Sequence, residues 1–150
     1  MIISTQNLNE VRKQIQKIKK EKPDEEIIVK AWNEEFNRKV LEMKNINVLL
    51  SPELHYGKDR LKKRDSGLNE FLCRLAAKKN IKIAIDIDKM QKLEKKEKAI
   101  VLSRIIQNIK LCKRTKTDII LWPENKYKKQ DVMGFITTLK GSTEQAKKAA

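Results

Sequence analysis

An α/β fold built on a parallel sheet, filling residues 1–150 as one domain, is what the sequence predicts. Three observations predict it. Five short apolar runs are spread along the chain, and each is followed by residues at helical spacing. The runs are continuous and do not alternate with polar residues, which marks strands buried on both faces, as in parallel sheets. Four glycines and three prolines are few for 150 residues, and no low-complexity tail is present, so regular structure dominates.

The elements follow in order. Ile2-Ile3 reads as a first strand. Leu8, Val11, Ile15 and Ile18 come next at helical spacing, with Asn7 placed to cap them. After the break KEKPDEE, Ile27-Ile28-Val29 form a second strand, and Asn33 opens a helix carrying Phe36, Val40 and Met43. INVLLSP gives a third strand, Val48 to Ser51, ended by Pro52. A basic loop leads to a helix from Leu68, with Leu68, Phe71, Leu72, Leu75 and Ala76 on its core face. IKIAIDI is the fourth strand. A long helix lined by Val101, Leu102, Ile105, Ile106, Ile109 and Cys112 follows, and DIILW, closed by Pro123, is the fifth strand. Val132, Phe135, Ile136 and Leu139 mark another helix. Gly141 is its expected C-cap, and Ser142 with Gln145 makes a capping box for a last short helix.

Right-handed crossovers leave two architectures, an open doubly wound sheet or part of a (β/α) barrel. Five units are too few for a complete barrel of about eight strands. Either way, ligands bind in the loops after the C-terminal ends of the strands. Trp32 and Trp122 fall at strand ends, where plugging the rim of the sheet is the favoured reading and stacking on a base the alternative.

The chain carries 35 Lys+Arg against 20 Asp+Glu, a formal charge of +15 and a pI near 9.8. Such a surface attracts polyanions, nucleic acid first and an anionic membrane second; lysine-rich codon usage is the bland alternative. No apolar run approaches the roughly 18 residues of a membrane span, and no leader pattern opens the chain. A soluble, cytoplasmic protein is expected. Cys73 and Cys112 both fall in apolar helical patterns and read as reduced core thiols.

Self-sufficient catalysis has little support. His55 is the sole histidine, and no phosphate-binding glycine loop or C-x-x-C is present. Asp86 and Asp88, two apart at a strand end, suit a Mg²⁺ site, or more simply end the strand and cap the next segment. Binding fares better. In KDRLKKRDSGLNEFL, the cations Lys58, Arg60, Lys62, Lys63 and Arg64 precede Ser66 and Gly67, read as the N-cap and start of a helix. A helix start with free N–H groups behind a cationic lip is an anion site. Asp65 would orient Arg64 through a bidentate pair. An ordinary solvated loop is the alternative. No aromatic platform of the kind used by single-strand binders is evident, so RNA would be held by backbone phosphate and shape.

RDSGLNEFLCRLAAKKNIKIAIDI resembles the signature block of archaeal ribonuclease P protein component 3, the p30-type subunit family. RIIQNIKLCKRTKTDIIL, FNRKVLEMKNINVLLSPEL and DVMGFITTLKGSTEQAKKAA resemble further blocks in the same order, so the likeness spans about residues 24–150. The chain departs from the family in lacking βα units that usually precede this region. It also departs in ENKYKKQD, where Lys126, Lys128 and Lys129 stand for a more usual Arg with Ser or Pro. The resemblance implies a partial or distorted TIM-like barrel related to polymerase-and-histidinol-phosphatase domains. It implies a subunit of the RNA–protein enzyme that removes 5′ leaders from precursor tRNA, in which the RNA is the catalyst and holds the Mg²⁺. No cofactor and no catalytic residue are then expected on this chain. The implied partners are ribonuclease P RNA, protein component 2 and other protein subunits, with precursor tRNA contacted indirectly and no membrane. RNA binding is assigned to Arg38, Lys58, Arg60, Lys62, Lys63, Arg64, Ser66, Gly67 and Arg104, and loop structuring to Asp65 and Asn69. For Arg38 and Arg104, pairing with a neighbouring helix or capping carbonyls is the structural alternative. Two rivals remain: a metal-dependent phosphoesterase of the related barrel superfamily using Asp86, Asp88 and His55, and a general RNA-binding or ribosome-associated protein.

Overall fold

The computed structural model describes residues 1–54, 59 and 65–150. Strands β1 (Ile2–Ile3), β2 (Ile28–Lys30), β3 (Val48–Leu50), β4 (Lys82–Asp86) and β5 (Ile119–Trp122) are parallel and lie side by side in chain order. The helices are α1 (Leu8–Glu21), α2 (Glu34–Glu42), α3 (Glu70–Lys78), α4 (Ile87–Gln91), α5 (Lys95–Thr115), α6 (Lys129–Thr138) and α7 (Thr143–Ala149). A 3₁₀ turn, Pro52–Leu54, follows β3. Strand order decides what the pattern left open. A doubly wound sheet reverses its order at a switch point, whereas here the order runs straight through, so right-handed crossovers gather the helices on one face. The result is an unclosed stretch of (β/α) barrel wall.

The alternation of side chains across the strands sorts the core into two layers. Ile3, Val29, Leu49, Ile83, Ile85, Ile119 and Leu121 pack beneath the helices. Ile28, Val48, Leu50, Ala84 and Ile120 form a second cluster on the other face, with Trp122 half-buried against it. Register brings these together, with Ile28 opposite Val48, Leu50 opposite Ala84 and Ala84 opposite Ile120. Such side chains bury one another as an inward barrel layer does.

Caps start the helices where the sequence places most of them. The Asn7 carboxamide oxygen accepts from Asn9 N–H at 3.0 Å, and that of Asn33 accepts from Phe36 N–H at 2.8 Å. Ser142 and Gln145 form the reciprocal capping box. Cys73 and Cys112 are buried and free. Their mutual hydrogen bond, with burial second, pushes the Cys112 thiol well up.

Four local expectations are corrected. The fourth strand stops at Asp86, whose carboxylate accepts from Lys89 N–H at 3.0 Å and turns the chain into α4. The third helix begins at Glu70, with Asn69 as its cap, and not from Leu68 behind Ser66. Phe71 lies 56% exposed, because the buried face of α3 runs through Leu72, Cys73 and Ala76. Gly141 is not the left-handed residue after α6; Lys140 takes that conformation, with φ 70°. Gly141 is needed for close approach instead, since a Cβ there would sit 2.4 Å from Ile136 Cγ2. Among the described residues no helix is long and apolar enough to cross a membrane.

Candidate functional site

Polar side chains inside the protein converge on one turn at the C-terminal ends of the strands. Asn37, on the core side of α2, accepts from Trp32 N–H at 2.8 Å and donates through Nδ2 to Gly67 O at 2.8 Å. Asn108, on α5, donates to Ser66 O at 3.2 Å. Arg104, one turn earlier on α5, donates through Nη1 to Glu53 O at 3.1 Å and through Nε to Asp59 Oδ1 at 3.1 Å. The same Asp59 oxygen accepts from Asp65 N–H at 2.8 Å. Within the turn, Asp65 Oδ1 accepts from Gly67 N–H at 3.2 Å, and the Ser66 hydroxyl donates to Leu68 O at 3.3 Å. Asn69 caps α3 through Leu72 N–H at 2.9 Å and donates to Glu34 Oε2 at 3.3 Å. Buried donors thus meet carbonyls that would otherwise be orphaned. Asp59 links Arg104 of α5 to Asp65 of the turn.

This geometry places the sequence-derived site residues as follows. Lys58, Arg60, Lys62, Lys63 and Arg64 lie outside the described residues, as does His55. Ser66 is fully buried and Gly67 takes φ +79°. The expectation that they open a helix with N–H groups facing an anion is therefore corrected: Ser66 has turned inward and the helix amides begin beyond Asn69. Arg104 is also buried, its guanidinium committed to Asp59 and Glu53, the structural alternative for this residue. Arg38 is exposed, 3.2 Å from Glu42 and 5.3 Å from the centre of the Phe71 ring. Asp65 and Asn69 make the turn and cap contacts just described.

The strand ends carry an uneven charge pattern. Glu53 is fully buried, and neither carboxyl oxygen has a hydrogen-bond partner among the described residues. Burial pushes its pKa from 4.5 up to about 8; the nearby Glu53 and Asp86 N–H groups and the Arg104 charge offset this only in part. Asp86 caps α4. Asp88 faces elsewhere, to Lys126 Nζ at 2.6 Å and to the Tyr127 hydroxyl, and these hydrogen bonds hold its carboxyl below the usual range. Asp86 thus ends the strand and caps the next segment, the simpler of the two readings of this pair, while Asp88 belongs to a surface ion pair. No group of three or more metal-ligating side chains occurs among the described residues.

Sequence reasoning missed Asn37, Glu53 and Asn108. Arg104 and Asn108 did carry a signal: they share the buried stripe of α5 with Val101, Ile105, Ile109 and Cys112. A polar residue on a core-facing stripe must have a buried partner.

No protein-family model matches the sequence. Curated proteins do. Ribonuclease P protein component 3 of Methanococcus vannielii is 29% identical over 142 residues, covering 91% of this chain and 58% of that protein. The protein so named in Methanococcus maripaludis strain C6 is 29% identical over 119 residues, covering 79% of this chain and 47% of its own length. That of Methanocaldococcus jannaschii is 26% identical over 118 residues, covering 75% and 48%. A chain in a cryo-EM structure of archaeal ribonuclease P with mature tRNA shares the fold, with a TM-score of 0.76 and 24% identity over 99% of this chain and 62% of that one. The chain is similar to component 3 in sequence, shares the fold of that solved chain, and spans about half the length of the curated relatives it matches.

Proposed function

We propose that this chain acts as a component 3-type protein subunit of ribonuclease P, supporting the RNA that removes 5′ leaders from precursor tRNA. The observation that carries this reading is the 29% identity over 142 residues to a protein of that name. The net charge of +15 suits an RNA partner. So does the turn architecture, in which Asp59 and Asp65, the residues flanking the cations 60–64 in sequence, are bonded to each other at the ligand end of the sheet. In this reading the RNA and its Mg²⁺ perform the chemistry, protein component 2 is the neighbouring subunit, and the complex is cytoplasmic. Lys58, Arg60, Lys62, Lys63, Arg64 and the exposed Arg38 contact phosphate. Arg104, Ser66 and Gly67 act from inside, by holding the loop that presents them.

Salt dependence tests the assignment. Every cation withdrawn from an RNA phosphate lowers the slope of log K against log salt by about 0.7 to 0.9. Arg60→Ala/Lys63→Ala/Arg64→Ala is therefore expected to bind ribonuclease P RNA with a slope shallower by about 2 to 3 than the unmodified chain. An unchanged slope would remove the segment from the interface. RNA recovered with the chain from cells separates the rivals, since ribosomal RNA in place of ribonuclease P RNA would mean a general RNA-binding protein.

A further inference from the structure

Between the ends of β1 and β2 the surface folds into a hollow of about 50 Å³, lined in part by Ser4, Thr5, Gln6, Lys30 and Trp32. Its lining includes no carboxylate side chain among the described residues. The Thr5 hydroxyl is committed to Glu10 Oε2 at 3.0 Å. The Ser4 hydroxyl and the Gln6 carboxamide have no hydrogen-bond partner among the described residues, and the Lys30 ammonium meets another cation, Lys89, with only the Asp86 charge to offset the pair. Lys89 stands beside Lys30, and its own ion pair is long, 3.9 Å to Asp86 Oδ2. Asp86 is already held as the cap of α4. Two ammonium groups therefore share one engaged carboxylate, next to two uncommitted neutral donors. Burial, and then the charge of Lys89, lower the pKa of Lys30, which measures how poorly this cation is compensated.

We propose that Lys30, with Lys89 behind it and Ser4 and Gln6 beside it, seats one phosphate group at the ligand end of the sheet, with Trp32 as the wall of the seat. A tetrahedral anion supplies what the hollow lacks, a negative charge with several acceptor oxygens for convergent donors. The hollow has room for one such group and little more. The phosphate has two possible sources, an RNA backbone or a free mononucleotide. The first rests on the ribonuclease P reading; the second does not.

Inorganic phosphate and adenosine monophosphate are titrated into the ¹⁵N-labelled chain against sodium chloride at matched ionic strength. The Ser4 and Gln6 backbone amides and the Trp32 indole are followed by NMR. Their signals are expected to shift and saturate with a Kd of about 1 mM. Lys30→Met keeps the aliphatic stem and removes the charge, and is expected to bind about tenfold or more weakly. Ser4→Ala/Gln6→Ala alters only exposed side chains and is expected to bind about threefold more weakly. Ribonuclease P RNA that displaces phosphate from these signals identifies the backbone as the source. RNA that leaves them in place while adenosine monophosphate outcompetes phosphate identifies a mononucleotide. Both results support the seat. Signals that move no further than in the chloride control, or binding by folded Lys30→Met equal to that of the unmodified chain, overturn it. A chain that takes up phosphate but binds no RNA would end the ribonuclease P reading and leave the seat intact.

Discussion

Gly67→Ala is expected to destabilise the chain by about 3 kcal/mol or more, seen as a lower urea midpoint at unchanged m-value. Two costs combine. A residue with a Cβ pays about 1–2 kcal/mol to hold the left-handed conformation that Gly67 adopts at φ +79°. The added Cβ would also lie 2.4 Å from Pro52 O and 3.0 Å from Pro52 C. Those are backbone atoms of the turn after β3, so relief requires the Asp-Ser-Gly turn to move off the sheet. That movement breaks the Asn37-to-Gly67 bond at 2.8 Å and leaves Asn37 Nδ2 with only its longer bond to Trp32 O at 3.3 Å, at about 1 kcal/mol or more. Gly134→Ala is the contrast. It sits inside α6 with nothing within 4 Å of its Cβ position, and is expected to stabilise by about 0.5–1 kcal/mol. Equal midpoints for the two variants would mean that the turn is not held as described.

Strands and caps were legible because their signals are local. Ile28, Leu49 and Ile83 sit in runs that could only be buried, and Asn7, Asn33 and Ser142 stand just ahead of apolar periods. Ser66 reads as the cap of α3 in the sequence and Asn69 takes that place; both are good capping residues a few positions apart. The choice was made by Asn37 and Asn108, which draw the carbonyls of Gly67 and Ser66 inward from elements 30 and 42 residues away in sequence. Distant partners of that kind leave no local mark. Phe71 was misplaced by a single position: once Asn69 fixes the phase of α3, Leu72 and Cys73 take the core and Phe71 faces out. Glu53 could not be read at all, because it is buried within a 3₁₀ turn and its carbonyl is held by Arg104 from 51 residues away, and neither is written in the residues around Pro52.

Glu53 is expected to make stability fall with rising pH across the neutral range. Its ordinary pKa of 4.5 rises to about 8 in the folded chain. Between those values the unfolded chain has lost this proton and the folded chain keeps it, so folding binds a proton and weakens as pH rises. The contribution is complete below 4.5, declines at about 1.4 kcal/mol per pH unit, and is gone above about 8. From pH 5 to pH 8 the expected loss is about 4 kcal/mol. The Asp88 shift starts from 3.8 and acts below this window. The physical cause is burial: Arg104, whose charge offsets it only in part, bonds the Glu53 carbonyl and the Asp59 carboxylate, so the Glu53 carboxyl escapes a desolvated charge by staying protonated. Glu53→Gln keeps the shape and has no proton to lose. Urea unfolding at pH 5, 6.5 and 8 is expected to show the variant nearly level where the unmodified chain declines, and more stable than it at pH 8. Parallel declines in both chains would show that Glu53 ionises in the fold without penalty, with a partner compensating its charge. In that case the buried network at the strand ends would hold a full ion pair and not a neutral acid.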